Sequence, residues 1–255
     1  MNIQFIPIAL SDIRGVIQQH LTSLPTAIDS FLEDHIIESV HYQICASDEV
    51  IGYTSIHKGS LITQFVLAPP YRHHAQSVYG QVKKLEEVQA AFVPTCDEFF
   101  LSHALDDYRQ LAKQAYFFAA RLPAADEEPS RFALRLAEKE DIITIQEGSG
   151  DFFSSIEQYL NKQELFLTLA DDVCVGFGLM AKSEMVGNVA SIGMYIIERF
   201  RRQGAGTATL RLLMAECQRH SLRPIAGCWY YNHLSKKTLE RAGMFTQTRL
   251  LKIDY

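Results

Sequence analysis

The run Arg201-Arg202-Gln203-Gly204-Ala205-Gly206-Thr207 carries the sharpest chemistry in the sequence. It follows a strand-like stretch, Met194-Tyr195-Ile196-Ile197, and precedes a helical pattern. Glycine lacks a Cβ, so this loop can take positive φ and let a ligand approach the backbone closely. The helix start adds unpaired N–H groups and the positive end of the helix dipole. Together these suit an anion, phosphate above all. The Gly-Lys-Ser/Thr ending of a Walker A loop is absent, and so is the third glycine of the dinucleotide fingerprint.

A second constellation lies downstream. Pro224 to Tyr231 reads as a strand, Asn232 is placed to cap a helix running to about Ala242, and Gly243 supplies its stop. Ser235 sits one turn into that helix.

Arg-x-x-Gly-x-Gly after a strand, then Asn232-His233-Leu234-Ser235 and Gly243-Met244, resembles the GNAT superfamily of N-acetyltransferases. The resemblance covers 131–255 well and 1–122 as a degraded copy. It implies that the backbone of Arg202, Gln203, Gly204, Ala205, Gly206 and Thr207 holds the pyrophosphate of acetyl-CoA, with Arg201 and Arg202 adding charge. It implies that Ile196 pairs with the pantetheine arm in a cleft between splayed strands, and that Asn232 contacts that arm or orders the cleft. The reaction it implies is attack of a neutral amine on the thioester, with backbone N–H groups stabilising the tetrahedral intermediate. The family often places a tyrosine where this chain has Leu239 and a carboxylate where it has Ala190. Catalytic substitutes are Tyr230, Tyr231 and Ser235; water-relayed proton transfer is the other route. Glu184, Glu198 and His233 read as surface groups.

The elements that must position these residues repeat. Each half opens with an apolar strand and an acid before a helix (Asp12, Asp141). Each continues with a hairpin containing Gly52 or Gly176, then a strand leading to Tyr71-Arg72 or Phe200-Arg201. The matching landmarks lie about 125 residues apart, the mark of a tandem duplication. In the first copy Ala75 and Ser77 replace the two glycines, His73-His74 replace Arg202-Gln203, and Asp97 stands near the place of Asn232. The expectation is a fold of α+β class with tandem GNAT-like domains, each a mixed, mostly antiparallel sheet flanked by helices. Residues 1–122 form a degenerate, structural or acceptor-shaping copy, 123–130 a Pro- and acid-rich linker, and 131–255 the acetyl-CoA-binding copy. Leu210, Leu213, Met214 and Cys217 mark the buried face of the helix after the loop. The aromatic runs at Phe99-Phe100 and Tyr116-Phe117-Phe118 read as core.

Composition bounds the rest. The chain has 255 residues, 47% hydrophobic and 21% charged, with formal net charge −6, which fits a globular protein and speaks against general nucleic-acid binding. Five cysteines without a C-x-x-C pair argue against a disulfide framework or a thiolate zinc site, and no metal is expected. No apolar run is long enough to span a membrane, and no signal peptide is read, so a soluble cytoplasmic protein is expected. The expected activity is acetyl transfer from acetyl-CoA to a primary amine, most simply of a small molecule, with a protein N-terminus or lysine left open. The alternative is a catalytically silent acyl-CoA-binding or sensing protein. A homodimer remains open.

Overall fold

The computed structural model describes residues 2–121, 131–153 and 155–255. The expected linker at 123–130 lies outside the described residues. The chain forms two compact units, Met1–Phe117 with Thr248–Tyr255, and Phe118–Gln247. The last eight residues therefore complete the first unit, where the sequence reading had grouped all of 131–255 together.

The first half runs β1 (Ile3–Ile8), α1 (Leu10–Ser23), α2 (Ser30–Ile37), β2 (Ser39–Ala46), β3 (Glu49–His57) and β4 (Leu61–Leu67). A 3-10 turn at Pro69–His74 leads to α3 (Ala75–Val82), β5 (Ala90–Pro94), α4 (Glu98–Ala104) and β6 (Gln110–Ala120). The second half repeats the order: β7 (Phe132–Leu136), α5 (Ile142–Ser149), α6 (Ile156–Asn161), β8 (Leu165–Ala170), β9 (Val173–Lys182) and β10 (Val189–Ile196). It ends with α7 (Ala205–Arg219), β11 (Arg223–Trp229), α8 (His233–Ala242) and β12 (Met244–Asp254). The unit division falls inside both β6 and β12.

The first sheet has the order β1-β2-β3-β4-β5-β12, and the second unit orders its strands β11-β10-β9-β8-β7. Neighbours are antiparallel except β4–β5 and β10–β11, which are parallel. Leu251 and Ile253 on β12 fill the first unit's core beside Val93 and Phe100. Such a pairing between distant segments has no local signature. Helix α7 buries Leu210, Leu213, Met214 and Cys217, the face its 3.6-residue period marks. Phe100, Tyr116, Phe117 and Phe118 are buried, as the aromatic runs suggested, and Phe99 packs partly buried against the same core.

The duplication reaches fine detail. The β2–β3 ladder shifts register at Ile44/Cys45 and the β8–β9 ladder at Thr168/Leu169. A Cβ on Gly52 would collide with the carbonyl of Val66, and one on Gly176 with that of Tyr195. Ala68 N–H donates to Ile51 O at 2.8 Å, and Ile197 N–H to Val175 O at 3.1 Å. Arg72 Nε donates to Leu67 O at 3.4 Å, and Arg201 Nε to Ile196 O at 3.0 Å. Accidental likeness between two α/β segments would not reproduce the same bulge, glycine and arginine bond.

Candidate functional site

Strands β10 and β11 pair only at Val189↔Arg223, Ala190↔Pro224 and Ser191↔Ile225. Strand β10 stays bound to β9 as far as Ile196↔Gly176. Past Ser191 the two parallel strands therefore separate and leave a gap with one open backbone edge. Backbone groups alternate along a strand. Arg223 N–H donates to Asn188 O across the parallel pair, whereas Ile197 N–H donates to Val175 O on the β9 side. That parity turns the N–H and C=O of Ile192, Met194 and Ile196 into the gap. Ile196 was picked out from sequence; Ile192 and Met194 were not, because the alternation identifies them only once the partner of β10 is known.

The carbonyl of Ile196 is tied down by Arg201, whose guanidinium also lies 5.5 Å from the Tyr195 ring centre. Arg201 is therefore a clamp on the end of β10 as well as a charge beside the loop. In the turn that follows, Arg202 has φ +62° and Gly204 has φ +86°. Left-handed backbone at a non-glycine residue opposes folding by about 1–2 kcal/mol and points to a local demand on the turn. Gly204 N-caps α7, and the first bond of the helical ladder is Ala208 N–H to Gly204 O at 3.1 Å. The N–H groups of Ala205, Gly206 and Thr207 consequently project from the helix end.

The two glycines serve different purposes. A Cβ on Gly204 would meet nothing within 4 Å, so that position needs glycine for its φ. A Cβ on Gly206 would meet Met194 and Thr238 at 3.3 Å, so that position needs it for close packing of β10, α7 and α8. Gln203 donates from Nε2 to Arg199 O at 3.3 Å, and residues 201–204 are exposed. The Arg201 bond to Ile196 and the packing of Ile196 with Ala205 bring Ile196 and the 201–207 loop to one place.

Asn232 caps α8, its Oδ1 accepting the Ser235 N–H at 3.1 Å, and Gly243 ends that helix at φ +99°. Tyr230 and Tyr231 depart from expectation. Strand β11 stops at Trp229, so both tyrosines lie in the turn before α8, and strand alternation does not assign them to opposite faces. Tyr231 stacks edge-on with both Trp229 and Tyr230 at 5.2 Å between ring centres, and it is 52% exposed. Ser235 is half-buried beside them in sequence. Ala190 and Leu239, the positions where an acid–base pair was sought, are buried and apolar. Glu184 pairs with Lys162 at 2.9 Å on the surface, and Glu198 and His233 are exposed. On the α5 side of β10, Phe152 lies 4.9 Å from Tyr195 and is 56% exposed, an aromatic pair that the sequence reading passed over.

The first unit shows the same split without the same loop. Strands β4 and β5 pair only at Leu61↔Ala90 and Ile62↔Ala91. Asp97 caps α4 through Phe100 N–H at 3.0 Å, as Asn232 caps α8. The 3-10 turn Pro69–His74, however, runs straight into α3 at a buried Ala75, and none of its residues takes positive φ.

A model of the acetyltransferase (GNAT) domain matches residues 9–121, and one of the acetyltransferase (GNAT) family matches residues 137–244. The chain belongs to the GNAT acetyltransferases. It is a tandem member, with one GNAT domain in each half, and no helix among its described residues is long and apolar enough to cross a membrane. No curated protein matches it. Among solved structures, a GNAT-family acetyltransferase from Colwellia psychrerythraea superposes with TM-score 0.88 at 17% identity, covering 100% of both chains. A GCN5-related N-acetyltransferase from Sphaerobacter thermophilus gives TM-score 0.65 at 15% identity, covering 99% of this GNAT chain and 95% of its own. A tandem GNAT protein from the clavulanic acid biosynthesis pathway gives 0.60 at 12%, covering 100% and 98%. At these identities the likeness is one of fold.

Proposed function

We propose that the chain transfers an acetyl group from acetyl-CoA to the primary amine of a small molecule, at the split between β10 and β11. The observation that carries this reading is the end of the parallel ladder at Ser191↔Ile225, which opens β10 directly onto the left-handed turn at Gly204. The pyrophosphate would take the N–H groups at the start of α7, with Arg201 and Arg202 adding positive charge. The pantetheine amides would pair with the free edge at Ile192, Met194 and Ile196, which aims the thioester along the strand. The amine attacks the thioester carbon as the neutral base, and the C–S bond breaks as the tetrahedral intermediate collapses. The departing thiolate takes up a proton, and the nitrogen releases one. A thiol pKa near 8.5 makes the first transfer undemanding. Tyr230, Tyr231 and Ser235, near the junction of β11 and α8, would be the groups to supply it. The first GNAT domain, whose Pro69–His74 turn has no left-handed residue, would have a structural or acceptor-shaping role.

A second reading, a silent acyl-CoA binder, is favoured by one observation: Ala190 and Leu239 offer no proton-transfer group. Two measurements separate them. Acetyl-CoA titrated calorimetrically should bind the native chain and be lost in Gly204→Val but kept in Ala75→Val. Free thiol released from acetyl-CoA in the presence of a library of small primary amines should rise for at least one amine. Binding without release would leave the silent binder, and absence of binding would end both readings.

A further inference from the structure

Three aromatic side chains stand open to solvent on segments that border the split. Phe152, Trp229 and Tyr231 are 56%, 58% and 52% exposed. Phe152 packs on Tyr195 of β10 with 4.9 Å between ring centres, and Trp229 ends β11. The first unit shows that the fold does not require these rings. The matching bonds of Arg72 and Arg201 align Val66 with Tyr195. The matching caps Asp97 and Asn232 align Pro94 with Trp229 and Cys96 with Tyr231. The aromatic residues therefore accompany the unit whose loop has the left-handed turn at Gly204. Single exposed apolar side chains are ordinary, but several beside one gap mark a contact surface.

Side chains alternate along β10 and divide the gap between two faces. Met194 and Ile196 pack with Ala205 and Phe200, on the α7 face. Tyr195 packs with Ile145, Phe153 and Phe177, on the α5 face. Phe153 is buried there, its ring centre 6.2 Å from that of Phe177, and it anchors the 3-10 turn Gly150–Phe152. Its neighbour Phe152 stays outside, tilted 47° to the Tyr195 ring. The Arg201 guanidinium lies 5.5 Å from the centre of the same tyrosine ring, so a fixed positive charge flanks the aromatic pair. Such a charge repels a second ammonium and favours the neutral form of an amine beside it.

We propose that the acceptor is a primary amine carrying an uncharged aromatic ring, which packs against Phe152 and Tyr195 while the amino group reaches the open edge of β10 at Ile196. This rests on reading the split as the acetyl-transfer site. Donor phosphates at the start of α7 would leave the α5 face, and with it Phe152, to the acceptor. A planar ring finds an offset or edge-on partner in Phe152. An amino sugar would set hydroxyl groups against apolar rings, and a diamine would bring its second charge towards Arg201. The new C–N bond forms as the C–S bond breaks, and the amine proton passes to the thiolate, giving the N-acetyl amide and free CoA. Phe152 decides which amine binds and takes no part in the proton transfer.

The probe is 2-phenylethylamine added to the full chain saturated with CoA, with 1,4-diaminobutane and glucosamine as amines of other chemistry. Saturation-transfer NMR should show contact through the phenyl protons, and neither other amine should displace it. With acetyl-CoA, thiol release should favour 2-phenylethylamine over both by about tenfold in kcat/KM. Phe152→Ala should raise its KM about tenfold, with kcat within about twofold and acetyl-CoA affinity unchanged. Phe152→Tyr keeps the ring and should restore the native KM. No phenyl contact, undiminished contact in Phe152→Ala, or equal losses in Phe152→Ala and Phe152→Tyr would each overturn the proposal. Faster release with 1,4-diaminobutane or glucosamine would also overturn it while keeping acetyl transfer. Phenyl contact that depends on Phe152, with no thiol released by any amine, would sustain the aromatic site and overturn acetyl transfer at the split.

Discussion

Arg201 donates from Nε to the carbonyl of Ile196 at 3.0 Å, tying the first residue of the glycine loop to the last residue of β10. The first domain keeps the bond, between Arg72 and Leu67, although it has lost the glycines. The clamp therefore belongs to the architecture of both copies, and in the second it also sets where the loop begins. Lysine carries the charge but not the planar fork. Arg201→Lys should raise the acetyl-CoA dissociation constant by about tenfold and lower the thermal midpoint by a few degrees, measured by calorimetry and scanning fluorimetry. Unchanged binding would reduce Arg201 to a charge.

Gly204 and Gly206 should fail in different ways. With φ at +86° and open space around its Cβ position, Gly204 resists substitution through backbone conformation alone. Gly204→Ala should cost about 1–2 kcal/mol in urea unfolding, and Gly204→Asn less, because asparagine tolerates the left-handed region. Gly206→Val should act through packing, forcing Met194 and Thr238 apart. Equal stability losses for Gly204→Ala and Gly204→Asn would contradict the conformational account.

Asp29 links stability to pH. It caps α2 by accepting Leu32 N–H at 3.1 Å. Burial pushes its pKa from 3.8 up to about 7, aided by the nearby charges of Asp34 and Glu33 and opposed by the Leu32 bond. Between about pH 4 and pH 7 the folded chain holds a proton that the unfolded chain has released. Stability from this group is therefore full at low pH and lost as pH rises through 7. Asp29→Asn keeps the cap and removes the titration. The difference in urea-derived stability between pH 5 and pH 8 should shrink in the variant by an amount on the order of 2 kcal/mol. An identical pH dependence in both proteins would show that Asp29 is ionised in the fold.

The loop and its helix were legible because their signals are local. Residues 201–207 announce a turn before a helix, Asn232 and Gly243 bracket α8, and the buried face of α7 follows from its period. What escaped depends on distant partners. Thr248–Tyr255 completes the first sheet through pairing of β12 with β5, far away in sequence. The open edge at Ile192 and Met194 exists only because β11 turns away after Ile225. Tyr230 and Tyr231 have strong strand propensity, yet the turn into α8 takes precedence.

The proton-transfer scheme can be settled at the β11–α8 turn. With Ala190 and Leu239 buried and apolar, Tyr230, Tyr231 and Ser235 are the hydroxyl groups offered where β11 and α8 meet. A positioned acid contributes about 10²–10⁴ in rate. The triple variant Tyr230→Phe, Tyr231→Phe, Ser235→Ala should therefore lower kcat for an amine found by thiol release by about a hundredfold. Its acetyl-CoA dissociation constant should stay within about threefold, since these changes leave the α7 end and the β10 edge intact. Single variants then identify which hydroxyl acts. A triple variant with native kcat would assign the proton to solvent, the route that a thiol leaving group makes chemically sufficient.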